Sequence, residues 1–204
     1  MRHRCDGETA VGTRILIIQG HPDPAGGHFC HALADAYAKA AAAAGHEVRR
    51  LEVAGLDFPL LRSAAEWNSA EPPETLRAAQ ADIGWAGHIV FVFPLWLGTL
   101  PALFKGFLEQ VLRPGFATPA DDKANPFSGP LRGRSARVIV TMGMPALFFR
   151  LVFRSHGVRV LKRNILHFCG IRPVRETLVG MVEGPPSRRQ KWLATMAELG
   201  ARAA

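Results

Sequence analysis

Residues His88 to Leu112, HIVFVFPLWLGTLPALFKGFLEQVL, constrain the fold of this chain more than any other stretch. Ile89-Val90-Phe91-Val92-Phe93 is a β-branched and aromatic run with the length of a strand buried on both faces. Pro94 has no N–H to give, so the ladder is expected to stop there. Pro101 suits the first turn of a helix. From Ala102 onward, Leu103, Phe104, Phe107, Leu108, Val111 and Leu112 recur at three- and four-residue spacing, so one helical face is buried. Trp96, Leu97 and Leu100 fall between these two elements, just past a strand's carboxyl end, where open α/β sheets bind ligands. They serve either as core plugs or as the wall of a site for a flat aromatic ligand. A membrane span fits less well than either, because it needs about 20 unbroken apolar residues and this run is cut by prolines and meets Lys105.

Strand and helix signals alternate along the rest of the chain. Strands are predicted over Arg14–Gln19, Glu47–Val53, Arg137–Thr141 and Val174–Val182. The alanine-rich run His31–Ala44 is helix material closed by Gly45. Pro72-Pro73 opens a short helix reaching Gln80, and Ser187–Arg202 forms a closing one. Leu56–Leu61 reads as extended, and Pro145 to Phe168 as a loop and one helix. Residues 113–135 lack periodicity and form a long surface excursion. The implied class is α/β, a doubly wound five-stranded parallel sheet with helices on both faces. Residues 14–204 make a single domain, and residues 1–13 a flexible leader without the apolar segment of a secretory signal.

The formal net charge of +8 raises nucleic acid as a partner, but no nucleic-acid fold signature accompanies it. Much of the charge lies in Arg150, Arg154, Arg159, Lys162 and Arg163, interleaved with Phe148, Phe149, Leu151, Val152 and Phe153. Such a segment suits a solvated helix face near a dimer contact, or an anionic membrane surface. Cys5, Cys30 and Cys169 are widely spaced and offer neither a disulfide framework nor a CxxC knuckle, so a cytoplasmic location is the default. His167 and Cys169 lack a third ligand, so no metal site is expected.

The first βα turn, Gly20-His21-Pro22-Asp23-Pro24-Ala25-Gly26-Gly27-His28-Phe29, is a candidate phosphate cradle, since a helix N-terminus follows it. It matches neither Walker A nor GxGxxG, and by itself reads equally well as a plain turn.

Several words, in order, resemble the NAD(P)H:quinone oxidoreductase family, which includes DT-diaphorase, modulators of drug activity and potassium-efflux ancillary reductases. They are Ile17-Ile18-Gln19-Gly20-His21-Pro22, Pro94-Leu95-Trp96-Leu97, Pro101-Ala102-Leu103-Phe104-Lys105-Gly106, Pro114-Gly115-Phe116-Ala117 and Ile165-Leu166-His167-Phe168-Cys169-Gly170. The resemblance covers roughly residues 14–200. It implies a flavodoxin-like fold and a flavin, FAD with FMN as the alternative. NADPH or NADH would be the hydride donor, a quinone-like molecule the acceptor, and the protein a homodimer.

The resemblance also assigns residues. His21 and Phe29 match positions that contact the flavin's phosphate and ribityl chain, while His28 and Cys30 stand where serine and asparagine are usual. Pro94, Leu95, Trp96 and Leu97 would run along the isoalloxazine edge, with backbone N–H groups toward N5 and O4. Thr141 and Gly143 resemble the Thr-x-Gly-Gly word at the pyrimidine end, where donors stabilise the reduced ring. His156 falls where the family's relay histidine belongs, whereas Phe148 and Phe149 occupy the neighbourhood of its tyrosine. Cys30, near a helix start, offers either a lowered thiol pKa or simple packing. The rival from another class is a regulatory subunit that binds a membrane potassium-efflux antiporter through the basic Phe148–Arg163 segment.

Overall fold

A computed structural model describes residues 12–68, 71–118 and 129–204. Its elements run β1 (Arg14–Gln19), α1 (Phe29–Ala43), β2 (Glu47–Glu52), α2 (Ala64–Asn68), α3 (Glu74–Trp85) and β3 (His88–Pro94). They continue with α4 (Ala102–Val111), β4 (Ser135–Thr141), α5 (Ala146–Leu151), α6 (His156–Arg159), a π-helical turn (Val160–Leu166), β5 (Val174–Val179) and α7 (Pro186–Ala201). All strand pairs are parallel, in the order β2-β1-β3-β4-β5. This is the doubly wound sheet expected from the alternation of elements.

Every residue of β3 is buried, because the strand sits mid-sheet with a helical layer on each face. On one face Leu16, Ile18, Ile89, Phe91 and Phe93 meet Leu76 and Ile83 of α3 and Phe104 and Phe107 of α4. On the other, Ile15, Ile17, Val90 and Val92 meet Leu33 and Tyr37 of α1 and Met196 of α7. Odd and even strand positions thus feed separate cores, as the period of two demands. Removing one of these large side chains would cost about 3–5 kcal/mol in the core. Gly20 is required where the chain leaves β1, since a Cβ there would lie 2.5 Å from the Phe104 ring.

Several boundaries differ from the sequence reading. The ladder does not stop before Pro94, which pairs with Thr141, and Leu95 N–H donates to the Thr141 carbonyl at 2.8 Å. N–H directions alternate along a strand, so the donor Pro94 lacks would face β1, which has already ended at Gln19. The single helix expected before Phe168 is broken, because Arg154 and Ser155 take left-handed φ of 49° and 51°. α3 continues past Gln80 to Trp85, burying Ile83, and α2 was not foreseen. β2 ends at Glu52, where Val53 begins a 3-10 turn, and β5 ends at Val179. Most of the expected leader, and residues 119–128 of the excursion, lie outside the described residues.

His88 opens β3 fully buried and shares a 2.7 Å hydrogen bond between Nδ1 and Ser135 Oγ. Burial, then the Arg137 and Arg175 charges, lower its pKa from 6.5 to about 4. The unfolded histidine takes up a proton near pH 6.5, whereas the folded one stays neutral down to about 4. Stability is therefore greatest above pH 6.5 and falls through this window, by up to about 3 kcal/mol for a fully buried ring. His88→Leu should shrink the difference between urea midpoints measured at pH 7 and pH 4.5. An unchanged difference would show that the ring is not kept neutral.

Candidate functional site

The first βα turn leaves β1 with Gly20 N–H donating to the Val92 carbonyl at 2.7 Å. His21 N–H then donates to Gln19 Oε1 at 3.1 Å, and Asp23 N–H to His21 Nδ1 at 3.2 Å. Burial, followed by the neighbouring His28 and His31, lowers the His21 pKa to about 4, so its ring is neutral at pH 7. With Nδ1 acting as acceptor, the proton sits on Nε2, a donor with no protein partner among the described residues. His28 stacks on His21 with ring centroids 3.8 Å apart and 14° between planes. Its Nε2 pairs with Asp23 Oδ2 at 2.6 Å, which holds the Asp23 carboxyl below its ordinary range. Asp23 Oδ1 also accepts Ala25 N–H at 2.9 Å, and Gly26 and Gly27 take positive φ to complete the loop.

His28 is the N-cap of α1, yet its side chain makes no capping bond. The first bonded amide is His31 N–H, to the His28 carbonyl, so Phe29 and Cys30 N–H remain as donors at the positive end of the helix. The Cys30 side chain points elsewhere. Its Sγ lies 3.0 Å from Thr141 Oγ1, and burial pushes the thiol up to about 11. The alternative of an activated thiol is therefore overturned. The Thr141 hydroxyl is likewise occupied, under the sheet end rather than toward the crevice.

β3 delivers the second wall. Trp96 N–H donates to the Thr99 carbonyl and Thr99 N–H to the Trp96 carbonyl, both at 3.0 Å. Leu97 (φ 47°) and Gly98 (φ 82°) form the tip of this tight turn. A leucine in the left-handed region costs about 1–2 kcal/mol, and its side chain is fully exposed. Strain combined with an exposed large apolar group marks a contact surface. The expectation for backbone donors shifts accordingly. Leu95 and Trp96 N–H are spent within the protein, leaving those of Leu97 and Gly98 at the tip. The Trp96 ring stands edge-on to His21 at 6.2 Å, which joins the two turns.

The third wall is the end of β4. Gly143 is exposed, and a Cβ added there would meet nothing within 4 Å, so it borders open space. α6 closes against the β3 turn, because a Cβ on Gly157 would fall 2.2 Å from the Gly98 carbonyl oxygen. His156, exposed at the start of α6, directly precedes this packed glycine. The structure brings His21, His28, Phe29, Trp96, Leu97 and Gly143 to adjacent strand ends.

Sequence reasoning missed His31, whose ring lies 5.5 and 5.8 Å from those of His21 and His28. Its signal was the three-residue spacing from His28 on one helical face. It also missed Asp23, which fixes the His28 ring, and Gly157, which seats the turn. Among the described residues, no group of three or more His, Cys, Asp and Glu side chains could hold a metal ion, and no helix is long and apolar enough to cross a membrane. The arrangement presents N–H donors at one end and the exposed Trp96–Leu97 turn with Gly143 at the other. That donor set fits an anionic phosphate joined to a flat ring.

The family model described as a flavodoxin-like fold matches residues 13–202. A ribosyldihydronicotinamide dehydrogenase-like protein of Penicillium crustosum is 28% identical over 155 residues, 64% of this chain and 57% of its own length. The chain thus spans little more than half of that relative. A Haemophilus influenzae protein named uncharacterized NAD(P)H oxidoreductase is 26% identical over 190 residues, covering 89% of this chain and 91% of that protein. Among solved structures, the Smu.1420 protein of Streptococcus mutans superposes with a TM-score of 0.74 at 27% identity, over 93% of this chain and 99% of that one. The NAD(P)H:quinone oxidoreductase of Methanothermobacter marburgensis superposes at 0.78 with 20% identity, over 94% and 96%, a likeness of fold. The chain belongs to the family with the flavodoxin-like fold, and its named relatives are NAD(P)H oxidoreductases and dehydrogenases.

Proposed function

We propose that this protein is a flavin-dependent NAD(P)H oxidoreductase acting on quinones or similar acceptors. The observation that carries the reading is the convergence of a turn rich in N–H donors and an exposed apolar turn at the ends of β1 and β3, beside the end of β4. Relatives support it by name. A guinea pig NAD(P)H dehydrogenase [quinone] 1 is 25% identical over 210 residues, 89% of this chain.

A bound flavin would supply the two-electron chemistry, and the chain supplies position, charge and shelter. Phe29 and Cys30 N–H, His21 Nε2 and the His28 ring receive the phosphate. Leu97 and Gly98 N–H face the ring edge, and Trp96 and Leu97 keep water from its face. Gly143 leaves room at the pyrimidine end for the backbone to approach. The His156 imidazole exchanges a proton with the acceptor; it is exposed and directly precedes Gly157. FAD is the cofactor in this reading, with FMN the alternative. A Ruegeria pomeroyi relative named FMN-dependent NADH:quinone oxidoreductase is 36% identical, but only over 59 residues, 29% of this chain. A second copy covering Trp96 and Leu97 would complete the apolar wall.

Anaerobic titration of the purified protein with NADPH and NADH tests the reading. Flavin absorbance should bleach at one equivalent of NADPH or NADH and recover on adding a quinone. A flavin reduced by neither donor would turn the reading toward the regulatory alternative. Two substitutions probe the cradle. His28→Ala should weaken flavin retention about tenfold, the scale of one charge-assisted hydrogen bond; equal affinity would remove His28 from the phosphate site. Gly157→Val must displace the Leu97–Gly98 tip, so it should raise KM for the acceptor and loosen the flavin while the fold survives by circular dichroism. Unaltered kinetics would show that the tip plays no part.

A further inference from the structure

Residues 142–171 carry Arg150, Arg154, Arg159, Lys162 and Arg163 and no Asp or Glu. Lys162 reaches Glu176 at 3.4 Å, whereas the four arginines have no carboxylate partner among the described residues. The same segment exposes large apolar side chains. On α5, Leu147, Phe148, Leu151 and Val152 fall on one face, with Leu151 67% and Leu147 64% exposed, while Phe149 anchors the opposite face in the core. The left-handed pair Arg154–Ser155 then turns the chain. His156, Arg159, Val160 and Arg163 follow at helical spacing, all exposed, while Val158 and Leu161 are buried beneath them. Exposed apolar side chains and guanidinium groups without a carboxylate partner thus alternate along one segment whose buried residues fix its backbone from below.

We infer that this α5–α6 surface docks on an anionic phospholipid bilayer. Charge selects the occupant. A second copy laid face to face would set unpaired arginines against unpaired arginines. A leaflet rich in anionic headgroups supplies the missing negative charge as phosphate, which guanidinium groups bind with two parallel hydrogen bonds. The leucine, valine and phenylalanine side chains between them reach the acyl boundary, the mode of an interfacial helix. No helix among the described residues is long and apolar enough to span, so the attachment is peripheral.

The docked face is continuous with the candidate site, because Gly157 of α6 packs on the Gly98 carbonyl at the tip of the Trp96–Thr99 turn. Binding would therefore hold that turn at the bilayer surface. Resting on the oxidoreductase reading, this assigns the acceptor as a long-tailed quinone dissolved in the membrane rather than one free in water.

Flotation of the flavin-loaded protein tests the docking without using its activity. The protein should float with vesicles of phosphatidylglycerol and phosphatidylcholine, stay behind with phosphatidylcholine alone, and detach as salt rises. Arg159→Glu/Arg163→Glu should lower the partition coefficient at least tenfold, since each cation near such a surface is worth about fivefold. Leu151→Ser/Val152→Ser should lower it too, with circular dichroism unchanged for both variants. Absence of flotation on anionic vesicles, or flotation indifferent to both variants, overturns the proposal. So does self-association that the Leu151→Ser/Val152→Ser variant abolishes in a protein that ignores lipid, which would name a second copy as the occupant. Retention by poly-glutamate but not by vesicles overturns it in favour of an acidic protein. With a water-soluble quinone both variants should turn over as the parent does, whereas a long-tailed quinone in anionic vesicles should be reduced more slowly. Flotation with neither quinone reduced would leave the docking standing and defeat the oxidoreductase reading.

Discussion

Everything in this molecule hangs on β3 being paired on both edges and covered on both faces. A central parallel strand has no solvent side, so its residues must be apolar without alternation, and helical layers must lie above and below. That requirement brings β1 and β4 against it, so that three carboxyl ends finish side by side. The ends are then tied. Gly20 N–H bonds the Val92 carbonyl, Leu95 N–H bonds the Thr141 carbonyl, and Cys30 Sγ meets Thr141 Oγ1. Each tie crosses from one element to the next, so the turns that follow share one rigid floor. A site assembled from three loops on such a floor needs little ordering when a ligand arrives.

The first turn shows how the chain holds an anion-ready geometry before any anion binds. A helix without a side-chain N-cap forgoes about 1 kcal/mol, and α1 does so at His28. Instead of capping, the His28 ring leans on His21 and bonds Asp23. The amides at Phe29 and Cys30 stay free as a result, and His21 is fixed in the tautomer whose open nitrogen donates. Burial keeps His21 neutral even though the negative Asp23 pulls its pKa the other way. An incoming phosphate would reverse that balance, since negative charge favours the protonated ring.

Much of the scaffold was legible because its signals are local. The uninterrupted β3 run, the spacing of Phe104, Phe107 and Val111, and Gly45 after an alanine-rich helix each follow from period or backbone freedom. The break at Arg154–Ser155 was not legible, since neither residue type advertises a left-handed conformation. Neither was the five-residue α2, which is too short for periodicity. At the site, Gly20-His21-Pro22 and Pro94-Leu95-Trp96 pointed to two turns that the structure sets at neighbouring strand ends. Which amides remain free was not readable, because it depends on bonds such as Trp96 to Thr99. The Cys30 thiol was open to two readings because its partner lies on another element, 111 residues away. His31 escaped notice because its role appears only when the turn folds His21 back over α1.

The excess positive charge of the chain is not spread evenly, and its placement is informative. On the β2 edge, Arg49 pairs with Asp82 and lies over the Trp85 ring, while Arg50 bonds Asp35 and Glu52. Those cations are locally neutralised and serve the strand edge. The arginines of the α5–α6 segment have no such partners, although the chain carries 17 acidic residues that could have been placed among them. Their segment, shared with exposed leucine and phenylalanine, would be costly to keep in water alone, through both self-repulsion and apolar exposure. The left-handed pair Arg154–Ser155 separates α5 from α6, whose Gly157 packs on the Gly98 carbonyl. One strained pair of residues therefore stands between the two helices, and the close packing of Gly157 ties the charged segment to the Trp96–Thr99 turn.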